Sequence, residues 1–203
     1  YELYIPTESA AFCYDLLTKA GVDIGLRDAG YYAIDSLRME KSYRAWGHEL
    51  SSDWSPYECG LGFAVKTSKG AFIGKDAAVL ALEKSKSKSG SAGGDDEQML
   101  VCFGVDDPSV FPWGGESILH SGQTVGFVTS AAYGHTIGRG IVFAMIKGEA
   151  SLDACRAAFK TLADPAAAGA GGAVFQIEVN GELYGVSPSN KPHYDPKGER
   201  IKV

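Results

Sequence analysis

The period of the apolar residues changes partway along the chain, and a polar stretch marks the change. Before Lys84 apolar residues recur at helical spacing; after Glu97 they run together or alternate as strands do. Between them lie Lys-Ser repeats, Gly90, Gly93, Gly94 and Asp95-Asp96, with Ala92 the one apolar side chain. Such a segment has nothing to bury against the entropy of being ordered. The pattern predicts a first part at 1–85, a flexible linker at 86–97 and a second part at 98–203.

The first part reads as short helices between turns. Leu3-Tyr4-Ile5 is a short strand pattern closed by Pro6, after which Thr7 or Ser9 can cap a helix to about Ala20. Phe12, Leu16, Leu17 and Ala20 fall on one face of that helix, and Gly21 is a natural stop. A second helix is predicted from about Gly30 to Lys41 and a third from Lys75 to Lys84. Gly47 to Glu58 is rich in turn formers and holds Pro56, so it reads as a loop; Leu61 to Lys66 reads as a strand.

The second part reads as strands joined by tight turns. Met99 to Phe103 is one strand, and Glu116 to His120, Ser121-Gly122 and Gln123 to Thr129 form a hairpin signal. Gly140 to Ile146, Val174 to Val179 and Glu182 to Ser187 follow, the last two joined by Asn180-Gly181, a type I′ pair. An amphipathic helix at Leu152 to Leu162 interrupts them, and Ala166 to Ala173 is an Ala/Gly tract. The expected fold class is α+β, with an antiparallel barrel or sandwich as its second half.

Composition narrows the function. A formal net charge of -6 leaves no basic excess for phosphates, which argues against a nucleic-acid partner. No run approaches the roughly 18 apolar residues that would span a bilayer. The four cysteines lie far apart; Cys13 and Cys102 sit in apolar runs and read as buried thiols in a reducing compartment. His48, His120, His135 and His193 have no metal-ligand spacing, so no metal site is expected. There is no GxSxG elbow, and Gly169-Ala170-Gly171-Gly172 lacks the ending of a phosphate loop, so it reads as a connector. No catalytic residue is assigned. The chain opens at Tyr1 without an initiator Met or a signal peptide, and it is expected to be part of something longer.

The most informative stretch ends the second predicted helix, where Tyr43, Arg44 and Trp46 meet the loop. An aromatic-plus-arginine cluster at an element's end can stack on a flat heterocycle and pair with carboxylates. On physical grounds alone, a solvated helix end with two rings in the core is the favoured reading.

The run G-L-R-D-A-G-Y-Y-A-I-D-S-L-R-M-E-K-S-Y-R-A-W-G-H-E-L, Gly25 to Leu50, resembles the aminomethyltransferase domain of the glycine cleavage T-protein family. S-P-Y-E-C-G-L-G-F-A-V-K at Ser55 to Lys66, F-I-G-K at Phe72 to Lys75, V-G-F-V-T-S at Val125 to Ser130 and Y-D-P-K-G-E-R-I-K at Tyr194 to Lys202 continue the resemblance in order. E-K-S-Y-R-A-W and A-G-Y-Y-A-I-D-S-L are more similar to the sarcosine and dimethylglycine dehydrogenases than to stand-alone T-proteins. The resemblance implies part of a folate-domain core followed by a small antiparallel β-barrel. It also implies tetrahydrofolate as cofactor, a small methylamine substrate, FAD in an upstream flavin domain of the same chain, and the mitochondrial matrix. The implied chemistry is capture of a methylamine-derived one-carbon unit by a tetrahydrofolate nitrogen, giving 5,10-methylenetetrahydrofolate. The family's catalytic aspartate would lie upstream of Tyr1.

By the same resemblance Glu2 would accept hydrogen bonds from the pteridine's donor edge. Tyr43 would line the path of the folate tail and Phe63 would stand as an aromatic wall. Stand-alone T-proteins carry an arginine at the position of Ile34, which cannot hydrogen-bond; this departure fits a dehydrogenase-type branch. A non-catalytic regulatory subunit of pyruvate dehydrogenase phosphatase and a stand-alone T-protein are the alternative readings.

Overall fold

A computed structural model describes residues 2–86, 97–163, 175–200 and 202. The chain divides into two compact units, Tyr1–Ile34 and Asp35–Val203. The expected linker falls almost wholly, and the Ala/Gly tract wholly, outside the described residues.

The first unit is built on helix α1, Thr7–Gly21, followed by a 3-10 turn over Val22–Ile24. Leu3-Tyr4-Ile5 belongs to no strand and pairs with none among the described residues, so the strand expected there is corrected. Neither Thr7 nor Ser9 caps α1. Pro6 occupies the N-cap in an extended conformation, and no side chain bonds there. The proline ring fixes the turn that a capping hydroxyl would otherwise stabilise. The predicted apolar stripe forms, but Phe12, Leu16 and Leu17 are exposed and Cys13 is only partly buried, which corrects its reading as a core thiol.

The second unit holds the end of helix α2, Tyr31–Glu40, then turns, a 3-10 turn over Gly62–Ala64, and helix α3, Lys75–Lys86. Leu61 to Lys66 is therefore not a strand. Gly60 turns through φ +71°, and Ala64 and Val65 bond back three residues to Leu61 and Gly62 instead of to a neighbouring strand.

Beyond these lies a closed antiparallel barrel: β1 Gln98–Val105, β2 Ser117–His120, β3 Gln123–Gly134, β4 Arg139–Lys147, β5 Phe175–Val179 and β6 Glu182–Ser189. Its order is β1-β4-β3-β2-β5-β6, with β6 closing on β1. The hairpin turns occur where the sequence placed them. Ser121 and Gly122 have φ of 52° and 77°, and Asn180 and Gly181 have 53° and 82°, the left-handed pairs of type I′ turns. Helix α4, Glu149–Ala163, follows β4.

Strands β1 and β4 read as unbroken apolar runs because both of their faces are buried. Val101, Phe103, Val142, Ala144 and Ile146 point into the barrel, where Leu152 and Cys155 of α4 join them. Leu100, Cys102, Ile141, Phe143 and Met145 point outward and are covered by Met39 and Cys59. The outer face of the barrel thus serves as the platform for residues 35–64, the segment that carries the Tyr43 cluster.

Candidate functional site

Helix α2 ends in a Schellman motif: Ser42 N–H donates to Met39 O at 3.0 Å and Tyr43 N–H to Arg38 O at 2.8 Å. Ser42 takes the left-handed position, φ 55°, that glycine usually fills. This turn aims Tyr43 and Arg44 away from the helix axis.

Two buried carboxylates hold the turn in place. Glu49 is fully buried; its Oε2 accepts from Arg38 Nη1 at 3.2 Å and Ala45 N–H at 2.9 Å, and its Oε1 from Thr129 Oγ1 at 3.0 Å. Thr129 reaches it because β3 bulges between Val128 and Ser130, re-aiming the hydroxyl outward. Arg38 also donates to Asp35 at 2.8 Å and to Ser130 at 3.0 Å. Glu40 accepts from Thr136 N–H at 2.6 Å, and Tyr194 N–H donates to Glu40 O at 3.0 Å. Lys41 Nζ pairs with Asp195 at 3.0 Å, and this bond holds the Asp195 carboxyl below the usual carboxylate range. Buried charges of this kind need hydrogen-bonding partners, and both oxygens of Glu49 have them.

Beside this network opens a cleft of about 690 Å³. Tyr43 and Phe63 both line it, with Leu61, Met99 and Phe143 among its apolar walls. The structure therefore brings two of the three residues predicted from sequence to one cavity. Glu2 lies in the first unit, exposed, in the irregular segment before α1.

Two polar groups in the cleft stand out. The Arg44 guanidinium is pinned by Nε to Cys59 O at 3.0 Å and Nη1 to Ser42 O at 2.8 Å, and lies over the Phe143 ring at 5.8 Å. Its Nη2 sits 2.9 Å from where a β-carbon on Gly60 would lie. The Tyr57 hydroxyl is buried with no hydrogen-bond partner among the described residues. Its ring comes within 2.8 Å of where a β-carbon on Gly62 would lie. Sequence reasoning singled out Arg44 as part of the aromatic cluster but missed Tyr57. The available signal was Gly60-Leu61-Gly62, two glycines that make room for these side chains.

The cysteines offer no chemistry here. Burial pushes the Cys102 thiol up to about 12, and Cys59 is raised by the same cause. A thiol so shifted stays protonated and inert. No cluster of potential metal ligands occurs among the described residues, and no helix among them is long and apolar enough to cross a membrane.

Residues 1–69 match the GCVT N-terminal domain, and residues 98–195 match the glycine cleavage T-protein C-terminal barrel domain. The fold agrees: a glycine cleavage system aminomethyltransferase T from Bartonella henselae superposes with a TM-score of 0.68 over 92% of this chain and 45% of that one, at 19% identity. Together the two domain matches take in most of the chain, and it belongs to the glycine cleavage T-protein family. Three relatives narrow the placement. The chain is 34% identical over its whole length to a 4-methylaminobutanoate oxidase (formaldehyde-forming) of Paenarthrobacter nicotinovorans, covering 21% of that protein. It is 39% identical over 72% of its length to the mitochondrial dimethylglycine dehydrogenase of Mus musculus, covering 16% of it. It is 35% identical over its whole length to the mitochondrial sarcosine dehydrogenase of Homo sapiens, covering 20% of it. Within the family, the chain is similar to a region of these relatives and spans about a fifth of their length.

Proposed function

We propose that this chain is the tetrahydrofolate-binding, one-carbon-accepting portion of a sarcosine- or dimethylglycine-dehydrogenase-type flavoprotein. The observation that carries the reading is the cleft that unites Tyr43 and Phe63. Its volume falls in the range of roughly 300–1,000 Å³ typical of small-molecule sites. Its walls are mostly apolar and aromatic, with few polar groups, which suits the flat rings of a folate. Bound tetrahydrofolate would supply the nitrogen nucleophile that takes up the one-carbon unit. The residues present would orient it: Tyr43 and Phe63 by ring contact, and Glu2 by accepting from the pteridine's donor edge. Amine oxidation belongs to a flavin domain upstream, so this portion alone is expected to be inactive. The names of the animal relatives support placing the parent protein in the mitochondrial matrix.

The test is a tetrahydrofolate titration of the full-length protein, with thermal melts alongside. Tyr43→Ala and Phe63→Ala should each weaken binding by about threefold to tenfold, the worth of an aromatic contact. Glu2→Gln places a donor against a donor and should cost about one to two decades. The rate of amine oxidation should hold steady in all three. Unchanged folate affinity in all three well-folded variants would end the reading.

A further inference from the structure

Two polar groups in the cleft lack what their chemistry requires. Arg44 is fixed by two backbone carbonyls and the face of Phe143, yet no carboxylate lies within ion-pair distance of it among the described residues. Those two bonds use Nε and Nη1, and the missing β-carbon of Gly60 leaves room for Nη2. Tyr57 is the second group: its hydroxyl is buried without an acceptor, which costs free energy in the unliganded protein. A purely structural role explains the two carbonyl bonds of Arg44. It does not explain why a cation with no carboxylate partner and a tyrosine whose buried hydroxyl has no partner stand in the wall of the same mostly apolar cleft. Both groups donate, so what they lack in common is an acceptor. A planar carboxylate matches a guanidinium best, through charge-assisted bonds.

We infer that Arg44 and Tyr57 form a carboxylate-binding subsite that fixes which end of the ligand enters the cleft. The inference rests on the folate reading for the ligand's identity: the ionised carboxylates of a folate lie on its glutamate end, so that end is directed toward Arg44. Arg44 is then a specificity residue, because it separates a folate from the same pterin without the tail. Lys41, the other cation on the cleft wall, is already paired with Asp195 and does not compete for this role.

The experiment uses the full-length protein and three probes: 5-formyltetrahydrofolate, 6-methyltetrahydropterin, which lacks the tail, and p-aminobenzoylglutamate, which lacks the pterin. Arg44→Gln should weaken 5-formyltetrahydrofolate and p-aminobenzoylglutamate by about tenfold to a hundredfold and leave 6-methyltetrahydropterin unchanged. Arg44→Lys, which keeps the charge but not the planar fork, should recover part of the loss. Tyr57→Phe should weaken the two tailed probes several-fold while the unliganded protein melts no lower than wild type, since an unsatisfied buried hydroxyl has been removed. Equal weakening of tailed and tail-less probes by Arg44→Gln would overturn the subsite, as would no weakening in a folded variant. If Arg44→Gln does not fold, unchanged affinities in Tyr57→Phe overturn it alone. The folate reading fails separately: wild type that binds p-aminobenzoylglutamate through Arg44 but not 5-formyltetrahydrofolate keeps the carboxylate subsite and loses the folate.

Discussion

Phe103 and Glu49 are both fully buried, in opposite kinds of surroundings. Phe103 sits inside the barrel against Phe175, ring centroids 5.5 Å apart, among side chains that need nothing but contact. Glu49 sits between the segment 35–64 and the outer wall of the barrel, where Arg38 and Ala45 of its own segment claim one oxygen and Thr129 of the barrel claims the other. The barrel is held by apolar packing and backbone ladders; the segment beside it is held by side-chain hydrogen bonds that fix a chain with little regular structure. The cleft is walled jointly by this segment and by barrel residues such as Met99 and Phe143. Precision without repetitive structure comes from a few fully satisfied polar groups, and each of them is correspondingly costly to lose.

The comparison breaks or sharpens under three perturbations. Phe103→Ala should have the largest effect, about 4 kcal/mol, from lost transfer energy and the cavity left behind. In urea, signals from barrel and segment should move together, because the segment has no platform once the barrel opens. Glu49→Ala should cost about 3 kcal/mol, the penalty for leaving one side of a buried pair unanswered. Its loss should be local: amide exchange should quicken across residues 41–61 while β1 and β4 stay protected. Equal quickening in both regions would show that the two are held as one.

The smallest effect is an acid limb. Burial, assisted by nearby Arg139, pushes His193 down to about 4 from its ordinary value of 6.5. Protonation is thus harder in the folded chain than in the unfolded one. The stability that depends on a neutral His193 is whole above about pH 6.5 and falls as pH drops through the window between the two values; below about 4 that contribution is gone. Between pH 7 and 5 the urea midpoint should fall by the equivalent of about 1 kcal/mol, allowing for partial exposure of the ring. His193→Gln should flatten that limb. An unchanged limb would assign the acid sensitivity to the carboxylate network instead.

The two regions also differ in how far the sequence revealed them. Barrel strands announce themselves through local signals: Ser121-Gly122 and Asn180-Gly181 dictate turns, and the apolar runs at 99–103 and 140–146 lie between polar breaks. The segment has no such trace. Thr129 is eighty residues from the Glu49 it serves, and Ser36 donates to Tyr133 O across a span of 97. Leu61 to Lys66 looked like a strand because periodicity cannot tell whether an apolar run has a partner. The α1 stripe was read correctly as a pattern, while Cys13, read as a buried thiol from its apolar run, is only partly buried. Resemblance supplied Tyr43 and Phe63; Tyr57 stayed hidden because a tyrosine after a proline looks like any turn residue until its hydroxyl is seen to be buried.

Closing the barrel through its first and last strands gives it a particular response to mechanical load. Because β1 and β6 run antiparallel, with Cys102 opposite Ser189 and Val105 opposite Val186, the entry of β1 and the exit of β6 lie toward the same end of the seam. Tension carried along the chain therefore acts to part that seam like a zipper, one rung at a time, rather than shearing all its bonds together. Such a barrel would yield first along this one seam when pulled.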